Sequence, residues 1–372
     1  MDKLEFCAPC LFGIEGILGD ELRRMGAEDV RPQNGRVLFG GGLEMLARAN
    51  IGSRYAERIQ LLMGSFSARS FEELFQGVKA LSWERWIGKN DAFPVKGWSL
   101  NSALYSVPDC QSIIKKAVVE RLKGVYGLSW FEETGAVCQI QFTLLKDEAT
   151  LLLDTSGAGL HKRGYRANAG GAPIKETLAA AMADVMRARR AVRMCDPCCG
   201  SGTLLIESAL AAKGIAPGIR RRFAAMNWPA IPETIWKEER QRARSLEHPE
   251  SRFTGWGGDI DDDCLRLTTE NAGKAGVASC LTVEKADLRH FRPEGDTGLV
   301  LCNPPYGERL LDVHAAEELY RVMGQVFRPK AGWSYGIISP HEDFEKLFGR
   351  PADKRRKLYN GMLKCQLYMY YR

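Results

Sequence analysis

The stretch Asp196-Pro197-Cys198-Cys199-Gly200-Ser201-Gly202 decides the fold of the second half of this chain. It follows a short apolar run, Ala191 to Cys195, and precedes an apolar run of helical character, Thr203 to Ala212. A glycine-rich turn between a strand and a helix lets a ligand approach the backbone, and the free N–H groups of the helix receive an anionic group. A dinucleotide fingerprint requires a third small residue, but Leu205 stands there, and no phosphate-binding P-loop motif occurs. The acid at Asp196 would repel a pyrophosphate. It suits a ligand carrying an ammonium group, such as S-adenosylmethionine.

Outward from this motif, strand-like runs recur near 253–259, 281–285, 299–302 and 334–339, with helical runs between them. A long helix is expected over 175–190. Such alternation predicts a mostly parallel α/β sheet, and the strand composition of 361–370 suggests an added antiparallel strand. Acids stand at the ends of the next two strands. Asp259 can hold both ribose hydroxyls through its two oxygens, with Asp261 as helix cap or helper; Asp259 as a cap itself is the plainer alternative. Asp287 can accept from the adenine amino group while Leu288 covers the ring. Pro197, Thr203, Ile260 and Thr177 complete the expected cofactor set.

The fourth strand runs into Asn303-Pro304-Pro305-Tyr306. The lone pair of an exocyclic base amine is delocalised into the ring. Two acceptors, the Asn303 side-chain oxygen and the Pro304 carbonyl, can hold both N–H groups and free that lone pair for a methyl group. Pro304 and Pro305 stiffen the loop, and Tyr306 offers a face for the base. This chemistry allows guanine N2, adenine N6 or cytosine N4 and does not choose among them.

The first 160 residues read differently. Strands are expected over 35–39, 55–63, 98–105, 139–145 and 149–153, and helices over 43–49 and 71–81. Ile113, Ile114, Ala117, Val118 and Leu122 form a helical apolar stripe flanked by Lys115 and Lys116. This pattern predicts two small α+β units, over residues 1–65 and 66–160, ahead of a Rossmann-like domain over 161–372. The net charge of +6 is compatible with nucleic acid. Lys115, Lys116, Lys162, Arg163 and Arg166 are the candidate RNA contacts. Eleven cysteines, with a C-x-x-C at Cys7–Cys10 and another at Cys195–Cys198, are read as reduced thiols without metal or disulfides. No apolar run is long enough for a membrane span and the N-terminus lacks a signal-peptide plan, so a cytoplasmic location is expected.

These motifs resemble class I methyltransferases acting on amino groups. Residues 160–166, 172–179, 303–310 and 357–361 look like the RlmL-type family, a resemblance reaching nearly the whole chain. It implies a ferredoxin-like region, an RNA-binding THUMP domain, S-adenosylmethionine as cofactor and no metal. It further implies guanine N2 in 23S ribosomal RNA as target, met before or during large-subunit assembly. Transfer RNA guanine, or adenine N6 in DNA, are the rival targets; a non-catalytic RNA-binding protein is the alternative from another class. Cys198 stands where the family carries an aromatic residue, and 214–252 resembles the family's own insertion.

Overall fold

A computed structural model describes residues 3–166, 174–306 and 313–371. The parts of the family-like motifs at Ala172-Pro173 and at Gly307 to Leu310 lie outside these residues. The chain divides into two compact units: Met1–Cys10, Gly19–Leu160 and Arg221–Arg242 form one, and Leu11–Leu18, His161–Arg220 and Ala243–Arg372 the other.

The first unit contains β1 (Leu4–Pro9), β2 (Glu28–Gln33), β3 (Arg36–Gly41), β4 (Gln60–Ser67), β5 (Val95–Leu100), β6 (Ile140–Leu145) and β7 (Glu148–Asp154). Its helices include α2 (Leu43–Gly52), α3 (Phe71–Ala80) and α4 (Val107–Tyr126), while α1 (Glu15–Arg24) begins in the other unit. The two expected α+β patterns share one sheet, ordered β2-β3-β1-β4-β7-β6-β5. Strand β4 joins them by pairing antiparallel with both β1 and β7. It starts later than the expected strand at Tyr55: Tyr55 and Ile59 are buried in irregular chain, and Ala56 makes only an isolated antiparallel bridge to Cys10. Likewise β5 lies earlier than the expected 98–105. The β6–β7 turn has both central residues in the left-handed region, Lys146 at φ 53° and Asp147 at φ 64°, as a two-residue hairpin demands.

The segment 221–242 inside the family-like insertion belongs to this first unit. Trp228 and Trp236 are both 1% exposed, and Trp228 Nε1 donates to the Val137 carbonyl at 3.1 Å. These aromatics are core, not surface for RNA.

The second unit contains α5 (Glu176–Val185), β8 (Arg193–Asp196), α6 (Thr203–Ala212), β9 (Thr254–Asp259), α8 (Asp262–Ala275), β10 (Leu281–Lys285), β11 (Gly298–Cys302), α9 (Val313–Val326), β12 (Trp333–Ser339), α10 (Phe344–Phe348), β13 (Lys354–Asn360) and β14 (Leu363–Tyr370); α7 (Glu233–Ser245) lies mostly with the first. The expected long helix over 175–190 stops at Val185, and Arg187 at φ 56° breaks it before a short 3-10 turn. The sheet order is β10-β9-β8-β11-β12-β14-β13. Strands β10, β9, β8, β11 and β12 are parallel; β14 pairs antiparallel with β12 and with β13. The order turns back at β8, and the carboxyl ends there flank the crevice where such sheets bind ligands. Helix α6 is buried almost all round, so its apolar sequence answers to packing on several sides. Among the described residues no helix is long and apolar enough to cross a membrane.

Candidate active site

The crevice is a cavity of about 690 Å³ at the carboxyl ends of β8, β9, β10 and β11. Its wall includes Asp196, Pro197, Gly200, Thr203, Asp259, Ile260, Asp287, Leu288, Asn303 and Pro305, all expected from sequence. Gly202, Thr177, Pro304 and Tyr306 are not on that wall. Gly202 instead caps α6 at φ 78°, where a Cβ would stand 2.6 Å from Thr268 Cγ2. Thr177 is fully buried in α5.

The glycine loop is held by its neighbours. Asp196 Oδ1 accepts from Cys198 N–H at 3.2 Å, and Cys199 N–H donates to the Gly258 carbonyl at 3.0 Å. Thr268 Oγ1 donates to the Gly200 carbonyl at 2.7 Å, and Asn271 to the Ser201 carbonyl at 3.0 Å. Gly200 adopts φ 52°, and a Cβ there would meet nothing within 4 Å, so the backbone is open to the cavity. Leu205, which broke the dinucleotide pattern, packs where β9 carries glycine: a Cβ at Gly257 would come 2.7 Å from Leu205 Cδ1. The close helix–strand approach is kept, with the small residue moved to the strand.

Acids dominate the polar wall. Asp259 accepts from Gly200 N–H at 2.9 Å and from Asp261 N–H at 3.1 Å, while Asp261 caps α8 by accepting from Asp263 N–H. Asp196 is 1% exposed, and burial pushes its carboxyl up to about 8; the Cys198 N–H opposes the shift and the Asp259 charge adds to it. Asp287 is held low, at about 2, chiefly by hydrogen bonds from the Arg289 side chain. That pairing occupies part of the carboxylate expected to face adenine. Burial pushes the Cys198 and Cys199 thiols up, so both form a neutral wall. Sequence reading missed Cys264, Leu267, Glu318, Leu319 and Val322 on the wall, since helix faces carry no motif; Ile174, also on the wall, falls within the family-like stretch 172–179 without a role having been expected of it. The residues fit S-adenosylmethionine: the open backbone at Gly200 for its amino-acid tail, acids for its cationic and hydroxyl groups, and Ile260 and Leu288 for its base.

At the other end, Asn303 Oδ1 is buried and accepts no hydrogen bond from the described residues. Tyr306 is half-buried, and its hydroxyl accepts from Asn360 Nδ2 at 2.9 Å. Asn360 lies at the end of β13, within the family-like stretch 357–361.

Two expected RNA contacts, Arg163 and Arg166, are corrected. The Arg163 side chain is 2% exposed and faces Glu207, itself buried, at 3.4 Å, so no phosphate reaches it. Arg166 donates to Thr203 Oγ1 at 2.6 Å and to the Ile174 carbonyl at 3.1 Å, which places it behind the cavity wall. Lys115 is bound by Glu133 and the Phe93 carbonyl and sits 3.4 Å from the Phe93 ring centroid. Lys116 and Lys162 are exposed. All eleven cysteines are free thiols, and among the described residues no cluster of His, Cys, Asp and Glu is arranged for a metal.

Residues 163–369 match the family described as RMKL-like, methyltransferase domain; residues 5–60 match the RlmL ferredoxin-like domain and 68–154 the THUMP domain. YpsC of Bacillus subtilis (strain 168), named provisionally as an RNA methyltransferase, is 42% identical over 100% of this chain and 97% of its own length. The ribosomal RNA large subunit methyltransferase K/L of Ectopseudomonas mendocina is 33% identical over 98% of this chain, which spans 52% of that relative. Among solved structures, a Listeria monocytogenes protein described as a predicted N6-adenine-specific DNA methylase is 42% identical with TM-score 0.94, covering 100% of this chain and 97% of that one. SMU.472, named provisionally as a methyltransferase and solved with SAH, is 40% identical with TM-score 0.95, covering 100% and 98%.

Proposed function

Because the chain belongs to the RlmK/L-type family of S-adenosylmethionine-dependent methyltransferases, we propose that it methylates an exocyclic base amine of RNA, N2 of guanine in large-subunit ribosomal RNA. The observation that carries the amine is Asn303 Oδ1, a buried acceptor on the cavity wall that takes no donor from the described residues. A buried acceptor left alone costs about 1–3 kcal/mol, so it is built for a donor that arrives with the substrate. S-adenosylmethionine, when bound, supplies the methyl group. Asn303 Oδ1 and the Pro304 carbonyl accept from the two amine hydrogens, which turns the nitrogen lone pair toward the cavity and stabilises the charge that grows there. Tyr306 stacks on the base, its ring fixed by Asn360. A base in a helix cannot reach this loop, so the target is flipped out or met before the RNA is fully folded.

RNA as the substrate class is supported by the THUMP match and by the names of the relatives; guanine rests on the family resemblance. Adenine N6 is the second reading, favoured by the description of the Listeria protein. Labelled cofactor offered with protein-free 23S RNA, intact subunits, transfer RNA and duplex DNA tests both. The expected product is N2-methylguanine, mainly in protein-free 23S RNA. Label confined to transfer RNA or DNA, or released as N6-methyladenine, would overturn the assignment.

A further inference from the structure

The C-terminal hairpin has a face that this reaction does not use. In the β13–β14 register Leu358 stands opposite Cys365, Tyr359 opposite Lys364 and Asn360 opposite Leu363. Side chains alternate along a strand. Leu358 and Cys365 are buried, and Asn360, on their side, reaches Tyr306. The other side therefore presents Lys357, Tyr359 and Lys364. Lys357 Nζ lies 5.3 Å from the Tyr359 ring centroid. Phe12, from the loop that belongs to the same unit, meets that ring edge-on at 5.8 Å and is itself 55% exposed. At the tip Met362 is 100% exposed.

An exposed phenyl ring packed on Tyr359, with Lys357 over that tyrosine and Lys364 opposite it across the strands, combines what an unpaired nucleotide needs: a face for the base and cations for its phosphates. Its position is equally specific. Lys357 is three residues from Asn360, about 10 Å at the rise of a strand, and Asn360 holds the tyrosine of the loop proposed to hold the target amine. The positive charge of the two lysines favours RNA over a protein partner. Resting on the proposed RNA activity, we infer that this face holds the single-stranded RNA next to the target base, a flanking base stacking on Phe12 and phosphates meeting Lys357 and Lys364.

The test uses the full chain with protein-free large-subunit ribosomal RNA as probe. Phe12→Ala should raise the RNA KM roughly tenfold, the scale of one lost stacking contact, with kcat and S-adenosylmethionine affinity unchanged. Phe12→Trp should restore it. Lys357→Gln and Lys364→Gln should each lower the slope of log affinity against log salt by about 0.7. Variants matching wild type in RNA KM and salt slope would overturn the docking surface alone. Failure of the wild-type chain to methylate any RNA would overturn the proposed function and the surface with it.

Discussion

The Gly200 N–H donates to Asp259 Oδ2 at 2.9 Å, so the glycine loop after β8 is tied to the end of β9 by the residue expected to hold the cofactor ribose. Asp259 Oδ1 accepts from Asp261 N–H at 3.1 Å. Each oxygen keeps a further lone pair for a hydroxyl. The carboxylate is thus oriented before any ligand arrives. Asp259→Ala removes both the ribose acceptor and the tie to the loop. Calorimetry should show S-adenosylmethionine affinity falling by at least roughly tenfold, the value of one charged hydrogen bond. Unchanged affinity would place the ribose contact elsewhere.

Asp196 predicts a pH dependence. Its carboxyl is pushed up to about 8 by burial, against roughly 3.9 in an unfolded chain. The folded state therefore favours the protonated form. Its contribution to the stability of the cofactor-free enzyme is full below about 3.9 and is lost as pH rises through about 8. A cationic ligand beside it favours the carboxylate, so binding should release a proton at neutral pH. Calorimetry in buffers of different ionisation enthalpy should detect that proton, and affinity should climb as pH approaches 8. Asp196→Asn should abolish both effects; proton release that persists in that variant would assign it to another group.

The class of the second domain was legible because strand ends and turns carry chemistry in short contiguous motifs: Asp196 to Gly202, Asp259 and Asn303 to Tyr306 all fall at the carboxyl ends of strands. Arginine roles were not legible in the same way. Arg163 and Arg166 read as basic surface until the fold brings Glu207, Glu176 and Thr203 to them from later helices. Strand β13 was hidden because an edge strand exposes one face, and its Lys354-Arg355-Arg356-Lys357 run masks the alternation that Leu358 and Asn360 complete. The single sheet of the first unit was hidden for another reason. Pairing of β4 with β1 and β7 joins residues far apart in sequence, which no local pattern records.

Arg166 should therefore behave as a positioning residue of the cofactor site. It holds Thr203, at the start of α6, and the backbone of Ile174, and both line the cavity. Arg166→Ala should raise the KM for S-adenosylmethionine roughly tenfold, in line with losing hydrogen bonds from a charged donor, and leave RNA affinity within twofold. A loss of RNA affinity with cofactor KM unchanged would restore it as an RNA contact.

Asn303 should serve the chemistry and leave cofactor binding largely intact. Its side-chain oxygen is the buried acceptor without a donor, whereas Tyr306 is anchored through its hydroxyl by Asn360. The two residues thus divide the work, and their variants should fail differently. Asn303→Ala should keep S-adenosylmethionine affinity and lower kcat by about 100-fold, the scale of losing one preorganised polar contact to the developing charge. Asn303→Asp keeps the acceptor but adds a negative charge, and should retain more activity than alanine, because both amine hydrogens remain held. Asn360→Ala frees the Tyr306 hydroxyl and should act mainly on RNA KM, since the base would lose a fixed stacking face while the acceptors stay in place. Single-turnover assays with saturating cofactor separate these effects. Full activity of Asn303→Ala would sink the amine mechanism, and equal kcat losses in Asn303→Ala and Asn360→Ala would show that the loop works as one unit.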